Sequence, residues 1–271
     1  MEIGVHATCT DETLRPDEVA VLVEQAGIDA LHFGEHSHIP VGRDSESPAE
    51  GMPREWARLP DLLIALTTAA LATTRLRVSS AVIQLALREP ITTAKALATI
   101  DVLSRGRLDL IVGHGAITEQ MRNHGVDPGT RYDLVRERML AMREIWREEE
   151  ASFHGKFVRF DSILSWPKPV QPGGVPLFFG GNSPGSEERA LEYGDGWAPL
   201  ALAGVPDRIR TLRNAGHQLR VVAVGVPTDR AGVEEYAAAG ADRIVFRLAS
   251  AMPGEIERSL DEVRSAAAAV V

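Results

Sequence analysis

The feature that most constrains this chain is an alternation that recurs along its length: a short β-branched or apolar run, then a longer segment with helical periodicity. Runs at 3–7, 29–34, 76–82, 108–112, 175–179, 196–200, 219–224 and 243–248 read as strands. Between them lie amphipathic stretches. Pro16 opens the first helix, whose Val19, Leu22, Val23 and Ala26 share a face until Gly27 stops it. A second helix is predicted over 59–72, and a third over 90–103, with Ile91, Ala94, Leu97 and Ala98 facing inward. A long helix over 132–146 carries Val135, Met139, Met142 and Trp146, and shorter helices fall near 185–193, 206–215 and 229–239, with a last one from about 253. The stretch 152–172 reads as irregular, and 40–58, rich in Ser, Pro, Glu and Gly, reads as a long loop suited to covering a site.

Strand followed by helix, eight times over, builds a parallel sheet with crossover helices. Two closures are open to such a chain: an open doubly wound sheet or a (β/α)8 TIM barrel. The segment ATCTDETLRP after the first strand contains no glycine, so the phosphate turn of a dinucleotide-binding open sheet is missing. No composition break marks a linker, and 271 residues suit one barrel. The expectation is a single barrel domain over residues 1–271.

Composition narrows the partners. A formal net charge of -9 gives no basic surface for nucleic acid. No run of about 18 apolar residues suggests a membrane span, and the N-terminus lacks the basic start and apolar run of a signal peptide. Cys9 is the only cysteine, which excludes an intrachain disulfide and a cysteine-based zinc site. A cytoplasmic protein acting on a small molecule is expected.

In a barrel of this kind the loops after the strands form the active face. Strand two ends in FGEHSHIP, which brings Glu35, His36 and His38 to that rim; strand three runs into Ala81 and Val82. Strand four ends in Gly113, His114 and Gly115, and strand five in Gly180, Gly181 and Asn182. Two chemistries fit. One is a metal-dependent hydrolase in which His36 and His38 supply two imidazole ligands and His6 and His114 would have to complete the set. The other is a flat redox cofactor, for which small residues allow close approach of a ring while Glu35 and His36 handle hydrogen bonds and a proton. Each position also has a purely structural reading: a polar cluster satisfying loop backbone for Glu35 and His36, and plain turns for Gly180 and Gly181. Trp197 within GDGW reads as core.

Taken together, FGEHSHIP, the run ATTRLRVSSAVIQLALREPITTAKALATIDVLSRGRLDLIVGHG, RERMLAMREIW, SFHGKFVRF, PKPVQPGGVPLFFGGNS and EYGDGWAPL resemble the luciferase-like monooxygenase superfamily. Within it, the likeness is to the branch of F420-dependent oxidoreductases. The resemblance implies a bacterial luciferase-like TIM barrel with loop insertions, a deazaflavin (coenzyme F420) bound in the mouth or FMN in its place, and often a homodimer. It implies that His36 handles a proton with Glu35 beside it. It also implies a bulge with a non-prolyl cis peptide at Ala81–Val82 behind the ring, and cofactor contacts from Gly113, His114, Gly115, Gly180, Gly181 and Asn182. Where some deazaflavin enzymes carry an acid after the strand-four glycines, this chain has Ala116, which speaks against a sugar phosphate substrate.

Overall fold

The computed structural model describes residues 1–41 and 52–268. Residues 42–51, the middle of the loop expected to cover the mouth, and 269–271 lie outside the described residues. In chain order the strands are β1 (Glu2–Ala7), β2 (Ala30–Phe33), β3 (Arg77–Gln84), β4 (Leu108–Gly113), β5 (Glu150–His154), β6 (Arg159–Leu164), β7 (Leu177–Gly180), β8 (Gly196–Ala198), β9 (Arg220–Val224) and β10 (Arg243–Arg247). The helices are α1 (Pro16–Gln25), α2 (Leu62–Ala72), α3 (Pro90–Ser104), α4 (Thr118–Asn123), α5 (Arg131–Arg147), α6 (Ser186–Tyr193), α7 (Val205–Asn214), α8 (Arg230–Ala239) and α9 (Glu255–Ala267).

Eight strands close into a parallel barrel in the order β1, β2, β3, β4, β7, β8, β9, β10, with β10 returning to β1 through Glu2↔Arg243 to His6↔Arg247. The eight are those expected from the alternation. Their ends shift where backbone chemistry intervenes. Pro176 has no N–H to give a ladder, so β7 starts at Leu177 and not at 175. Pro199 likewise ends β8, leaving Leu200 only an isolated bridge to Val224. The second helix begins later than predicted because Asp61 caps it, accepting from the N–H groups of Leu63 at 2.9 Å and Ile64 at 3.2 Å.

The stretch 152–172 is a correction. It contains most of an antiparallel hairpin, β5 against β6, standing outside the barrel. Ala151, Phe153, Val158 and Phe160 turn toward α5 and the core, a short period-2 pattern hidden by exposed neighbours. Glu137 of α5 holds the turn, its Oε2 accepting from the N–H groups of Phe157 at 2.7 Å and Val158 at 2.9 Å. The short helix α4 was also not foreseen.

Alternation sorts the barrel strands into an outer and an inner face, broken in β3 between Ala81 and Ile83. Outward residues such as Val5, Leu31, Val78, Leu110, Phe179, Trp197, Val221 and Ile244 pack under the helices. Inward, the barrel is layered. At the bottom, Arg243 and Asp109 are both fully buried and paired twice, at 3.1 and 2.9 Å, with Arg77 Nε on Asp109 at 2.9 Å and Arg243 Nε on Glu2 at 2.7 Å. Burial by itself would push the Asp109 carboxyl up; the charge and hydrogen bonds of Arg243, with Arg77 and His32 adding to them, hold it far below the usual carboxylate range. Above this layer sit Ile111, Phe178, Ala198, Val222 and Val245, with Ala81, Val82 and Val224 against them. A charged floor and an apolar middle leave the strand ends as the open face.

Candidate active site

The rear of the mouth is built from small residues around a backbone irregularity. The Ala81–Val82 peptide is cis, and the β3–β4 register slips there, Ala81 pairing with Ile111 and Ile83 with Val112. Val82 therefore stands out of the ladder and lies against Gly113 of β4 and Gly180 of β7. A Cβ on Gly113 would overlap the Val82 side chain, and one on Gly180 would come 2.9 Å from the Val112 carbonyl oxygen and 3.5 Å from Val82 Cγ1. Glycine is thus required at 113 by the Val82 bulge and at 180 by the neighbouring β4 backbone. Gly34 and Ala198 continue the same shallow surface. Gly115 and Gly181 adopt positive φ, +79° and +124°, where side chains are disfavoured, and turn the chain away from the mouth.

One wall comes from the loop after β2. Glu35 is nearly buried, and both of its oxygens are engaged. Gln84 N–H donates to Oε2 at 2.6 Å, and Arg88 donates from Nε to Oε1 at 2.6 Å and from Nη2 to Asp61 at 3.2 Å. The Gln84 side-chain amide donates to the Glu35 carbonyl at 2.6 Å and lies 3.3 Å from His36 Nδ1. An amide donor at Nδ1 puts the proton of a neutral imidazole on Nε2. His36 stacks on Trp56, with ring centroids 5.0 Å apart and planes 15° from parallel. Burial lowers the His36 pKa, partly opposed by Gln120, and His38 lowers it further. His36 is accordingly neutral near pH 7, with its lone pair on Nδ1 turned to Gln84 and its N–H on Nε2 as the group that can donate to a ligand. Glu35 does not touch it directly; Gln84 is the link between them.

The opposite wall is His114, Tyr132, Arg131 and Arg189. The His114 ring lies 4.5 Å from that of Tyr132, and both guanidiniums stand over Tyr132, Arg189 at 4.4 Å and Arg131 at 5.1 Å. Burial first, then the charges of Arg131 and Arg189, push His114 down to about 4. Two buried atoms here have no hydrogen-bond partner, His114 Nδ1 and Arg131 Nε. Unpaired polar atoms beside two cations suit an anionic, hydrogen-bonding portion of a ligand.

Not every expected residue is turned to the mouth. The Asn182 side chain is spent on Leu200, donating to its carbonyl at 2.9 Å and accepting from its N–H at 2.8 Å, so it braces the β7 and β8 loops. Gly181 N–H donates to the Ala198 carbonyl at 3.1 Å, and the Gly181 carbonyl accepts from the fully buried Trp197 indole at 2.9 Å. His38 diverges from His36. Its Nδ1 lies 3.0 Å from Ser37 Oγ, its Nε2 2.9 Å from Asn123 Nδ2, and its ring stacks on His124. Among the described residues no three His, Cys, Asp or Glu side chains group as metal ligands, so the hydrolase alternative lacks its set.

Gln84, Arg88, Trp56, Tyr132, Arg131 and Arg189 escaped sequence reasoning. Arg88 carried a readable signal, since it directly precedes the Glu89-Pro90 start of α3 at the end of a barrel strand. The others are brought in by tertiary packing alone.

Comparison with known proteins follows the same lines. The family model described as "Luciferase-like monooxygenase" matches residues 13–240. An uncharacterized protein of Mycobacterium tuberculosis is 37% identical over 204 residues, covering 73% of this chain and 71% of its own. The F420-dependent glucose-6-phosphate dehydrogenase of Kineococcus radiotolerans is 26% identical over 183 residues, 66% of this chain and 50% of its own. The FMNH(2)-dependent dimethylsulfone monooxygenase of Pseudomonas putida is 30% identical over 207 residues, 73% of this chain and 56% of its own.

Proposed function

The chain belongs to the luciferase-like monooxygenase family, and from that premise we propose that it is an F420-dependent oxidoreductase transferring a hydride between a deazaflavin and a small organic substrate. The observation that carries the proposal is the cradle: Gly34, Ala81, Gly113, Gly180 and Ala198 put small residues around the Val82 bulge, with a neutral imidazole on the β2 loop. When bound there, a deazaflavin supplies a two-electron hydride carrier. The protein's residues do the rest. Val82 and the flanking glycines would back the ring. His36, its Nδ1 held by the Gln84 amide, would present its Nε2–H to a substrate oxygen and hold the proton there as the hydride moves. Glu35, clamped by Arg88, fixes the β2 loop and with it His36. His114, Arg131 and Arg189 would hold the anionic end of the cofactor.

FMN is the second reading, favoured by the dimethylsulfone monooxygenase relative, and it would bring reaction with dioxygen instead of hydride transfer alone. Side-by-side fluorescence titrations separate the two: tight deazaflavin and weak FMN binding support the proposal, and the reverse order overturns it.

The assembly proposed is a homodimer. Ile64 and Leu71 on α2 and Val102 and Leu103 on α3 are exposed on helices that pack side by side, and a second copy would cover them. Sedimentation of Leu71→Glu, expected as a monomer, tests this. Among the described residues no helix is long and apolar enough to cross a membrane.

A further inference from the structure

The seam where β10 closes against β1 carries a polar pair at the mouth with no role in the account above. Along β10, Arg243 and Val245 point into the barrel while Ile244 and Phe246 join the outer core. Arg247 is the next inward position and the one nearest the open face. Its ladder partner is His6, inward by the same alternation, since Gly4 two residues earlier faces His32 and Arg243.

His6 Nδ1 is buried and has no hydrogen-bond partner. Its Nε2 is directed to the small-residue surface, where a Cβ on Gly34 would meet it at 3.5 Å. Arg247 is exposed and, among the described residues, makes no side-chain hydrogen bond or ion pair. The guanidiniums on the β2 side are committed, Arg88 to Glu35 and Asp61, Arg58 to Asp11 and Glu12, and Arg54 to Glu12, while Arg131 and Arg189 stand apart at the His114 wall.

We propose that Arg247 and His6 form the substrate end of the mouth and hold the carboxylate of a small, otherwise apolar acid. The class follows from charge and lining. Burial and then Arg247 push His6 down to about 4, so it is neutral near pH 7 and offers one N–H donor without a second charge. One cation and one neutral donor match a monoanion; a phosphate dianion would call for further cations. The walls below are Val82, Ala198, Val224 and Val245, which favour an aliphatic or aromatic body over a sugar.

The inference rests on the redox reading only in taking this acid as the substrate of the same site. Its test is calorimetric titration with benzoate, benzamide and phenyl phosphate as probes, on the protein alone and with deazaflavin present. Benzoate is expected to bind at least about tenfold more tightly than benzamide, and Arg247→Gln to abolish that preference with Arg247→Lys intermediate. Arg247 is exposed, so the variants should unfold at the wild-type temperature and keep deazaflavin affinity. Equal binding of acid and amide, a preference that survives Arg247→Gln, or tighter binding of phenyl phosphate overturns the inference. Loss of deazaflavin binding beside intact acid discrimination overturns the cofactor reading and leaves this one standing.

Discussion

Arg88 donates from Nε to Glu35 Oε1 at 2.6 Å, while Glu35 Oε2 takes the Gln84 N–H at the same distance, so the carboxylate ties α3's start to the end of β3. A carboxylate with both oxygens occupied is suited to positioning and poorly placed to shuttle protons. Glu35→Gln should therefore cost turnover about tenfold by loosening His36, whereas His36→Ala should cost on the order of 10²-fold with cofactor affinity within about tenfold of wild type. Steady-state kinetics with the reduced cofactor would read both; unchanged turnover in His36→Ala would remove it from the reaction.

Gly113 lies against the Val82 bulge with no room for a Cβ, and a Cβ on Gly180 would crowd the Val112 carbonyl oxygen. Gly113→Ala should destabilise the fold by about 1–3 kcal/mol through overpacking. It should weaken cofactor binding more than stability, because the displaced Val82 rises into the ring's place. Urea unfolding and a fluorescence titration on the same sample measure the two effects, and an alanine variant with wild-type cofactor affinity would refute the cradle.

At the closed end, Asp109 is fully buried between Arg243 and Arg77. Asp109→Asn leaves the Arg243 charge inside the barrel with only Glu2 to balance it, at a cost of about 3–5 kcal/mol. The expected readout is a lower urea midpoint with an unchanged slope.

Stability should also fall in mild acid. His6 and His114 are pushed down to about 4 and His32 to about 3 by burial, with Arg247 adding at His6, Arg131 and Arg189 at His114, and Arg243, partly opposed by Asp109, at His32. In the unfolded chain each returns to about 6.5. A depressed folded pKa means that the unfolded state binds more protons below about pH 6.5. The stabilisation is therefore whole above that value and drains away as pH falls toward 4, by at most about 1.4 kcal/mol per pH unit per histidine. His114 is only partly buried and should contribute less. Unfolding free energies at pH 7, 5.5 and 4.5 test the sign, and a flat profile across that window would contradict it.

The alternation of β-branched runs with amphipathic segments determined the eight barrel strands, because a period of two against a period of 3.6 is written residue by residue and does not depend on distant partners. It also brought Glu35, His36, Gly113, His114 and Gly180 to one rim, since every strand of a parallel barrel ends on the same face. Tertiary structure alone decided which of them work together. His36 and His38 are two residues apart, yet one meets Trp56 and Gln84 while the other turns to Ser37 and Asn123. Asn182 looks like a ligand group in sequence and is consumed by Leu200. Arg131 and Arg189 reach His114 from separate helices, and Arg247 meets His6 only because the last strand closes on the first. Such contacts span tens to hundreds of residues, and their physical origin is the closing of the barrel, which no local pattern encodes.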